Sequence, residues 1–138
     1  MTLLDAYALI AFLTGGPAAA QVHGILREGD VAVTTINLAE ALEVSERRRG
    51  LPIHRAMEIL GPLLTGPIVS RPLDIPVARR AAELRAMHYK RASREISLAD
   101  TVLIASATAG DRIATSDPDV LAVAATEQIA TLPLPEQG

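Results

Sequence analysis

Asp5 interrupts the apolar run Leu3-Leu4-Asp5-Ala6-Tyr7-Ala8-Leu9. A lone carboxylate there loses more in desolvation than it gains, so it requires a partner. Asp100 poses the same problem in Ser97-Leu98-Ala99-Asp100, ahead of a stretch to Ala109 that is uncharged on every side and reads as a buried helix. A capping box, with Ser97 as N-cap and the carboxylate reaching back to it, accounts for Asp100 alone and is worth about 1 kcal/mol. Glu40 lies on one helix face with Glu43. Glu43 has Arg47 at i+4, whereas Glu40 meets only Ile36 and Val44 at those offsets. Asp117 and Asp119 flank Pro118 after an apolar strand, where each also reads as a turn or cap residue.

Drawn together, these acids have one use. Carboxylates ~4 Å apart repel by about 4 kcal/mol per pair at an effective dielectric near 20, so a cluster persists only around a cation. Oxygen donors without His or Cys select a hard ion, Mg²⁺ or Mn²⁺. Such an ion suits phosphate chemistry, because it neutralises phosphoryl oxygens and lowers the pKa of a bound water. The charge distribution offers a place for the rest of a polyanion. Residues 47–94 carry eleven basic and three acidic residues, +8, against two basic and thirteen acidic elsewhere, −11. All the basic residues but Lys90 are arginines, suited to bidentate phosphate contacts, and Arg47, Arg48, Arg49, Arg79 and Arg80 are the candidates. An Ala- and Arg-rich composition with solvated helix faces explains the same charges without a ligand.

Other chemistries are poorly served. The aromatic fraction is 2%, too little for a base-stacking platform. With no cysteine there is no disulfide, thiolate zinc site or cysteine nucleophile. His23, His54 and His88 lie too far apart in sequence for a short metal-ligating motif and read as ordinary side chains. The apolar N-terminal stretch imitates a secretion signal, but no basic residue precedes it and Asp5 interrupts it. No run approaches the ~20 apolar residues that cross a bilayer, and a cytoplasmic protein with no membrane partner is expected.

Positioning the acids falls to a single domain, since 138 residues suffice for one core. Short apolar runs alternate with helical patterns, which predicts an α/β fold with a mostly parallel sheet. Strands are expected at 2–5, 31–34, 68–70, 112–115 and 128–131. Helices are expected at 6–13, 17–27, 37–49, 52–64 with a break at Gly61-Pro62, 76–90, 97–109 and 118–125. A domain spanning 1–132 then ends in a short flexible tail, 133–138. In such sheets ligands gather outside the carboxyl ends of the strands, where strand order reverses. Asp5, Glu40 and Asp117 follow strands and share that rim. The helix of Asp100 begins on the other side, so strand order alone does not bring it there.

The segments Leu3-Leu4-Asp5-Ala6-Tyr7, Asn37-Leu38-Ala39-Glu40, Ser97-Leu98-Ala99-Asp100-Thr101 and Ile113-Ala114-Thr115-Ser116-Asp117 resemble, in order and spacing, the four acidic motifs of PIN-domain ribonucleases. The length resembles that of the VapC toxins of type II toxin–antitoxin systems. The resemblance implies a Rossmann-like PIN domain, a parallel central sheet flanked by helices, that gathers Asp5, Glu40, Asp100 and Asp117 as catalytic metal ligands. It implies Mg²⁺- or Mn²⁺-dependent endonucleolytic cleavage of RNA, a tRNA or rRNA, by a metal-activated water. A VapB-like antitoxin and a homodimer are implied as well. Thr115 matches the family's hydroxyl beside the fourth acid, an orienting role that Asp119 could share, although a turn explains Asp119 better. Ala6 and Tyr7 depart from the family's hydroxyl-bearing residues after the first Asp. Two rivals remain at this level. One is a Mg²⁺-dependent phosphotransfer domain of the receiver or haloacid dehalogenase kind, which needs paired acids that this first strand lacks. The other is a non-catalytic PIN-like module that binds RNA or protein through the arginines.

Overall fold

The computed structural model describes residues 1–136. Its elements in chain order are β1 (Thr2–Leu4), α1 (Ala6–Thr14), α2 (Ala19–Glu28), β2 (Val31–Thr34), α3 (Thr35–Arg49) and α4 (Ile53–Leu64). They continue with β3 (Ile68–Arg71), α5 (Ile75–His88), α6 (Leu98–Ser106), β4 (Arg112–Thr115), α7 (Pro118–Thr126) and β5 (Ala130–Pro133). The strands form one parallel sheet in the order β3-β2-β1-β4-β5. The chain winds outward from β1 to β2 and β3, then returns to lay β4 and β5 on the other side. Order therefore reverses between β1 and β4, and the loops after these two strands carry Asp5 and Asp117.

Helices cover both faces, which is why the inner strands are apolar without alternation. The two-residue period sorts their side chains between two cores. Leu4, Val31, Val33 and Ala114 pack with Leu9, Val22 and Leu60 of α1, α2 and α4. Leu3, Ala32 and Ile113 pack with Leu84, Leu103 and Val120 of α5, α6 and α7. Ala8 and Ala11 are buried on α1 and Ala41 on α3, small residues that let helix backbones approach closely. Among the described residues, no single helix is long and apolar enough to cross a membrane.

The expected elements all form, several with ends moved by one or two residues, β5 among them at Ala130–Pro133 instead of 128–131, and three further differences have a visible cause or consequence. First, α6 ends at Ser106 rather than 109. Asp111 Oδ2 accepts both the Thr108 amide at 2.7 Å and its hydroxyl at 2.9 Å, drawing the chain out of the helix. The buried Asp111 also takes Arg71 at 2.7 Å and the Met1 ammonium at 2.9 Å, tying the β3 edge to the starts of β1 and β4. Burial opposes its ionisation, but these donors outweigh it and hold the carboxyl well below the usual range. Second, α4 runs through Pro62 to Leu64. Third, the segment expected as a tail from 133 starts with packed residues. Pro133 closes β5, Leu134 is buried, and its amide donates to the Thr115 carbonyl at 2.8 Å. Of that segment, Gln137 and Gly138 lie outside the described residues.

Candidate active site

Each acid is set by a local feature of its own element. Asp5 leaves β1 in extended conformation and caps α1, its Oδ1 accepting the Ala8 amide at 2.8 Å. It is only 6% exposed. Burial pushes its carboxyl up to about 6, against the Thr115 hydroxyl and Ala8 amide, and the charges of Asp117 and Glu40 raise it further. Thr34 caps α3 by accepting the Asn37 amide at 3.0 Å, and Glu40 follows Asn37 one turn later on an exposed face.

Asp117 caps α7, accepting the Asp119 amide at 2.8 Å. Its own amide donates to Thr115 Oγ1 at 3.1 Å. The cap explanation is therefore true of Asp117 and compatible with a place in the site. Asp100 lies half-buried in the first turn of α6, where the Ser97 hydroxyl oxygen accepts its amide at 3.1 Å. The backbone of residue 100 serves this cap. Its carboxyl is pushed up to about 7 by burial and the charge of Asp117, against the Ser97 hydroxyl, with Glu40 and Asp5 adding to the rise.

One pocket of about 920 Å³ is lined by Asp5, Glu40, Asp100 and Asp117 together. Because α6 ends at Ser106 ahead of the amino end of β4, its first turn stands at the opposite, carboxyl rim, where Asp100 joins the other acids. Thr115 is fully buried beneath it, its hydroxyl shared between Asp5 and the Asp117 amide. Asp119 turns its amide to Asp117 and is not among the residues that line the pocket. Arg47 stands on the pocket wall because it shares Glu40's face of α3 two turns on, and Arg48 and Arg49, around the end of the helix, line the pocket as well. Arg47 is bound by Glu43 at 2.7 and 3.0 Å. Gly50, at φ 70°, then stops the helix, with the Leu51 amide returning to the Ser45 carbonyl at 3.1 Å. The α5 arginines lie elsewhere. Arg79 pairs with Glu83 at 2.9 Å, and Arg80 pairs at 2.6 Å with Glu127, which also holds the buried His88 at 2.9 Å. Arg80 and Glu127 line a separate pocket at the amino ends of β4 and β5, and it shares no residue with the acid pocket.

Two lining residues carried no functional expectation. Tyr7 points its hydroxyl at the Pro135 carbonyl, donating at 2.5 Å, and Glu136 follows on the pocket wall. Burial and the charges of Asp5 and Glu136 push the Tyr7 hydroxyl up, keeping it a donor. No motif in the sequence marks this contact.

Among the described residues, no three His, Asp or Glu side chains converge closely enough to hold an ion as they stand. The donor set nonetheless has the chemistry of a hard-cation site. It is all carboxylate, two of its members are held back from ionising chiefly by burial and further by the charges of neighbouring acids, and among the described residues no basic side chain pairs with them. Approach of a cation lowers both carboxyls and removes the repulsion that keeps them apart.

No curated protein sequence matches the chain. The crystal structure of FitAcB from Neisseria gonorrhoeae superposes with a TM-score of 0.67 at 28% identity, covering 96% of each chain. VapBC2 from Rickettsia felis, bound to a DNA fragment from their promoter, gives 0.70 at 12% identity over 97% of this chain and 98% of that one. Mycobacterium tuberculosis VapC20, described as a Sarcin-Ricin loop cleaving toxin, gives 0.63 at 14% identity, over 98% and 90%. The PIN domain profile matches residues 2–126, a span that runs from the first strand through α7 and contains all four pocket acids. With that match over most of its length, and with the parallel sheet that gathers those acids, the chain belongs to the PIN-domain family.

Proposed function

We propose that this protein is the toxin of a toxin–antitoxin pair, an endoribonuclease dependent on Mg²⁺ or Mn²⁺. The observation that carries the reading is a single pocket lined by four carboxylates from four separate elements, two of them with raised pKa values. Asp5 and Asp100 are the direct ligands of the ion, and Glu40 and Asp117 complete the set. When bound, the ion supplies charge neutralisation at the phosphoryl oxygens and an activated water for in-line attack. The chain's own residues do the rest. Thr115 orients Asp5 and Asp117 from below, and the guanidinium donors of Arg48 and Arg49, which have no ion-pair partner among the described residues, grip phosphates flanking the scissile one. The products are 5′-phosphate and 3′-hydroxyl ends.

Support for RNA as substrate and for an antitoxin partner comes from the solved relatives. They include a toxin–antitoxin complex from Klebsiella pneumoniae, FitAB and VapBC bound to DNA, and a toxin described as cleaving the Sarcin-Ricin loop. By the same reading the substrate is a tRNA or rRNA loop, the partner is VapB-like, the toxin is a homodimer and its place is the cytoplasm. The test is incubation of the purified chain with structured RNAs, with Mg²⁺, Mn²⁺ or a chelator. Cleavage that requires the ion and is lost in Asp100→Asn supports the reading. Ion-independent binding without cleavage refutes it in favour of a non-catalytic binding module.

A further inference from the structure

The acid pocket holds about 920 Å³, whereas a water takes about 30 Å³, so an ion with its hydration shell leaves most of it free. Part of its wall is an apolar strip for which the ion has no use. Tyr7 and Ile10 stand three residues apart on one face of α1, and Val44 stands one turn after Glu40 on α3, the helix packed against α1. All three are half-buried and line the pocket. Charged residues bracket the strip. Asp5 comes two residues before Tyr7 and Glu40 four before Val44, while Arg49 lines both the acid pocket and the small cleft that Tyr7 and Ile10 share with Thr14. The Tyr7 hydroxyl is committed to the Pro135 carbonyl, so what this residue has left to offer a ligand is its ring.

We propose that Tyr7, supported by Ile10 and Val44, is the seat of one unpaired nucleobase of the RNA, next to the scissile phosphate, and so a specificity-determining residue. This rests on the reading that the pocket takes RNA. A nucleotide joins a charged phosphate to a flat base through one sugar, and the pocket sets an apolar strip beside acids and arginines in the same order. Phosphate on the strip would lose its hydration without a donor in return, whereas a base loses little and gains a stacking partner. Every base has a π-face, so the seat reads exposure of the base rather than its identity. One ring seats one base, which the sparse aromatic content allows although it excludes a platform of several. Bases within a duplex are already covered on both faces, so the seat selects a loop or a single strand.

The test uses the full chain carrying Asp100→Asn and Tyr89→Phe, with Mg²⁺ present. Tyr89 ends α5 and does not line the acid pocket, and without it Tyr7 is the sole tyrosine of a chain that has no tryptophan. Its emission then reports on the seat directly. The probes are a single-stranded RNA 12-mer of mixed sequence and an abasic ribose-phosphate 12-mer of equal charge. The RNA is expected to quench Tyr7 emission on binding and the abasic strand to leave it unchanged. In fluorescence anisotropy with labelled probes, Tyr7→Leu should weaken RNA binding by about five- to a hundredfold, the effect of losing one stacked base, and leave the abasic strand unaffected. Tyr7→Phe, which keeps the ring, should restore most of the lost affinity. Unchanged Tyr7 emission on RNA binding, or equal loss of both probes in Tyr7→Leu, overturns the proposal and leaves the strip to an apolar side chain of a protein partner. If the unsubstituted chain cleaves no RNA and the substituted chain binds neither probe, the nuclease reading falls and takes this proposal with it. If RNA binds and is cleaved while Tyr7 stays silent, only this proposal falls.

Discussion

Asp5 follows the first strand and Asp100 lies in the first turn of the sixth helix, yet the two carboxyls line one pocket, where burial above all, then the charge of Asp117 and in smaller part those of Glu40 and Asp5, disfavours ionisation of Asp100. Each is an acid whose environment opposes its charge, and the fold keeps them together at a cost in stability. That cost makes the site visible to measurements that do not depend on catalysis.

The first prediction concerns pH. In the folded chain Asp5 and Asp100 titrate near 6 and 7, above the model-peptide value of 3.8 expected when unfolded. Between those limits the folded state binds more protons, so stability rises as pH falls. In a chelator, the melting temperature is expected to be higher at pH 5.5 than at pH 7.5. Adding Mg²⁺ at pH 7.5 should recover the difference, and at pH 5.5 it should do little. A melting temperature that declines steadily from pH 7.5 to 5.5 in chelator contradicts this account of the pocket.

Removing either buried acid separates activity from folding. Loss of groups that merely support metal ligands typically costs 10–100-fold, so Asp5→Asn and Asp100→Asn should each lower RNA cleavage by more than about a hundredfold. Circular dichroism should show both variants folded. Asp100→Asn should melt at or above the temperature of the unsubstituted chain in chelator, because it relieves repulsion. Near-normal cleavage by both variants would remove them from the chemistry.

The arginines should divide by location. Arg48→Ala and Arg49→Ala lie on the pocket wall, and each should weaken RNA binding and reduce the slope of log affinity against log salt by about 1. Arg79→Ala, paired with Glu83 and distant from the acids, should change neither. Equal losses from both groups in fluorescence anisotropy would place the RNA on a broader surface.

Asp111 makes a structural prediction remote from the acid pocket. It accepts from Arg71, the Met1 ammonium and both donors of Thr108, so Asp111→Ala leaves several donors without a partner. The expected loss is about 2–3 kcal/mol in urea unfolding, between the values of exposed and fully buried ion pairs. Because its folded-state carboxyl is depressed, this contribution persists through neutral and mildly acidic pH and fades only in strong acid. A variant as stable as the original would mean that the network is idle.

Much of this arrangement was legible in the residue pattern. Apolar strands bounded by turn residues, Gly50 after the α3 arginines and Ser97 before α6 mark their elements plainly, because local chemistry sets each. Asp5 and Glu40 stood out because each lacked a local partner, whereas Asp100 and Asp117 each also had a cap explanation. What was not legible depended on contacts distant in sequence. The arrival of Asp100 at the rim depends on the direction in which α6 runs down to β4, packed against α5 and β2, which its own residues do not reveal. The early end of α6 reflects Asp111 reaching back to Thr108. The anchoring of Leu134 and the Tyr7 contact with Pro135 join residues 128 positions apart, and alternating Leu and Pro in 132–135 resembles a loose end in sequence.

The sheet order also dictates when the pocket comes into being. β1 is made first but lies in the middle, hydrogen-bonded on one side to β2 and on the other to β4, whose residues emerge some 110 positions later. Asp5 therefore has neither Thr115 nor Asp117 beside it until the final quarter of the chain has left the ribosome and docked, a late, long-range closure. A nascent or truncated product ending before β4 has the first strand without its neighbour and lacks Asp117, so it cannot assemble the four-acid pocket.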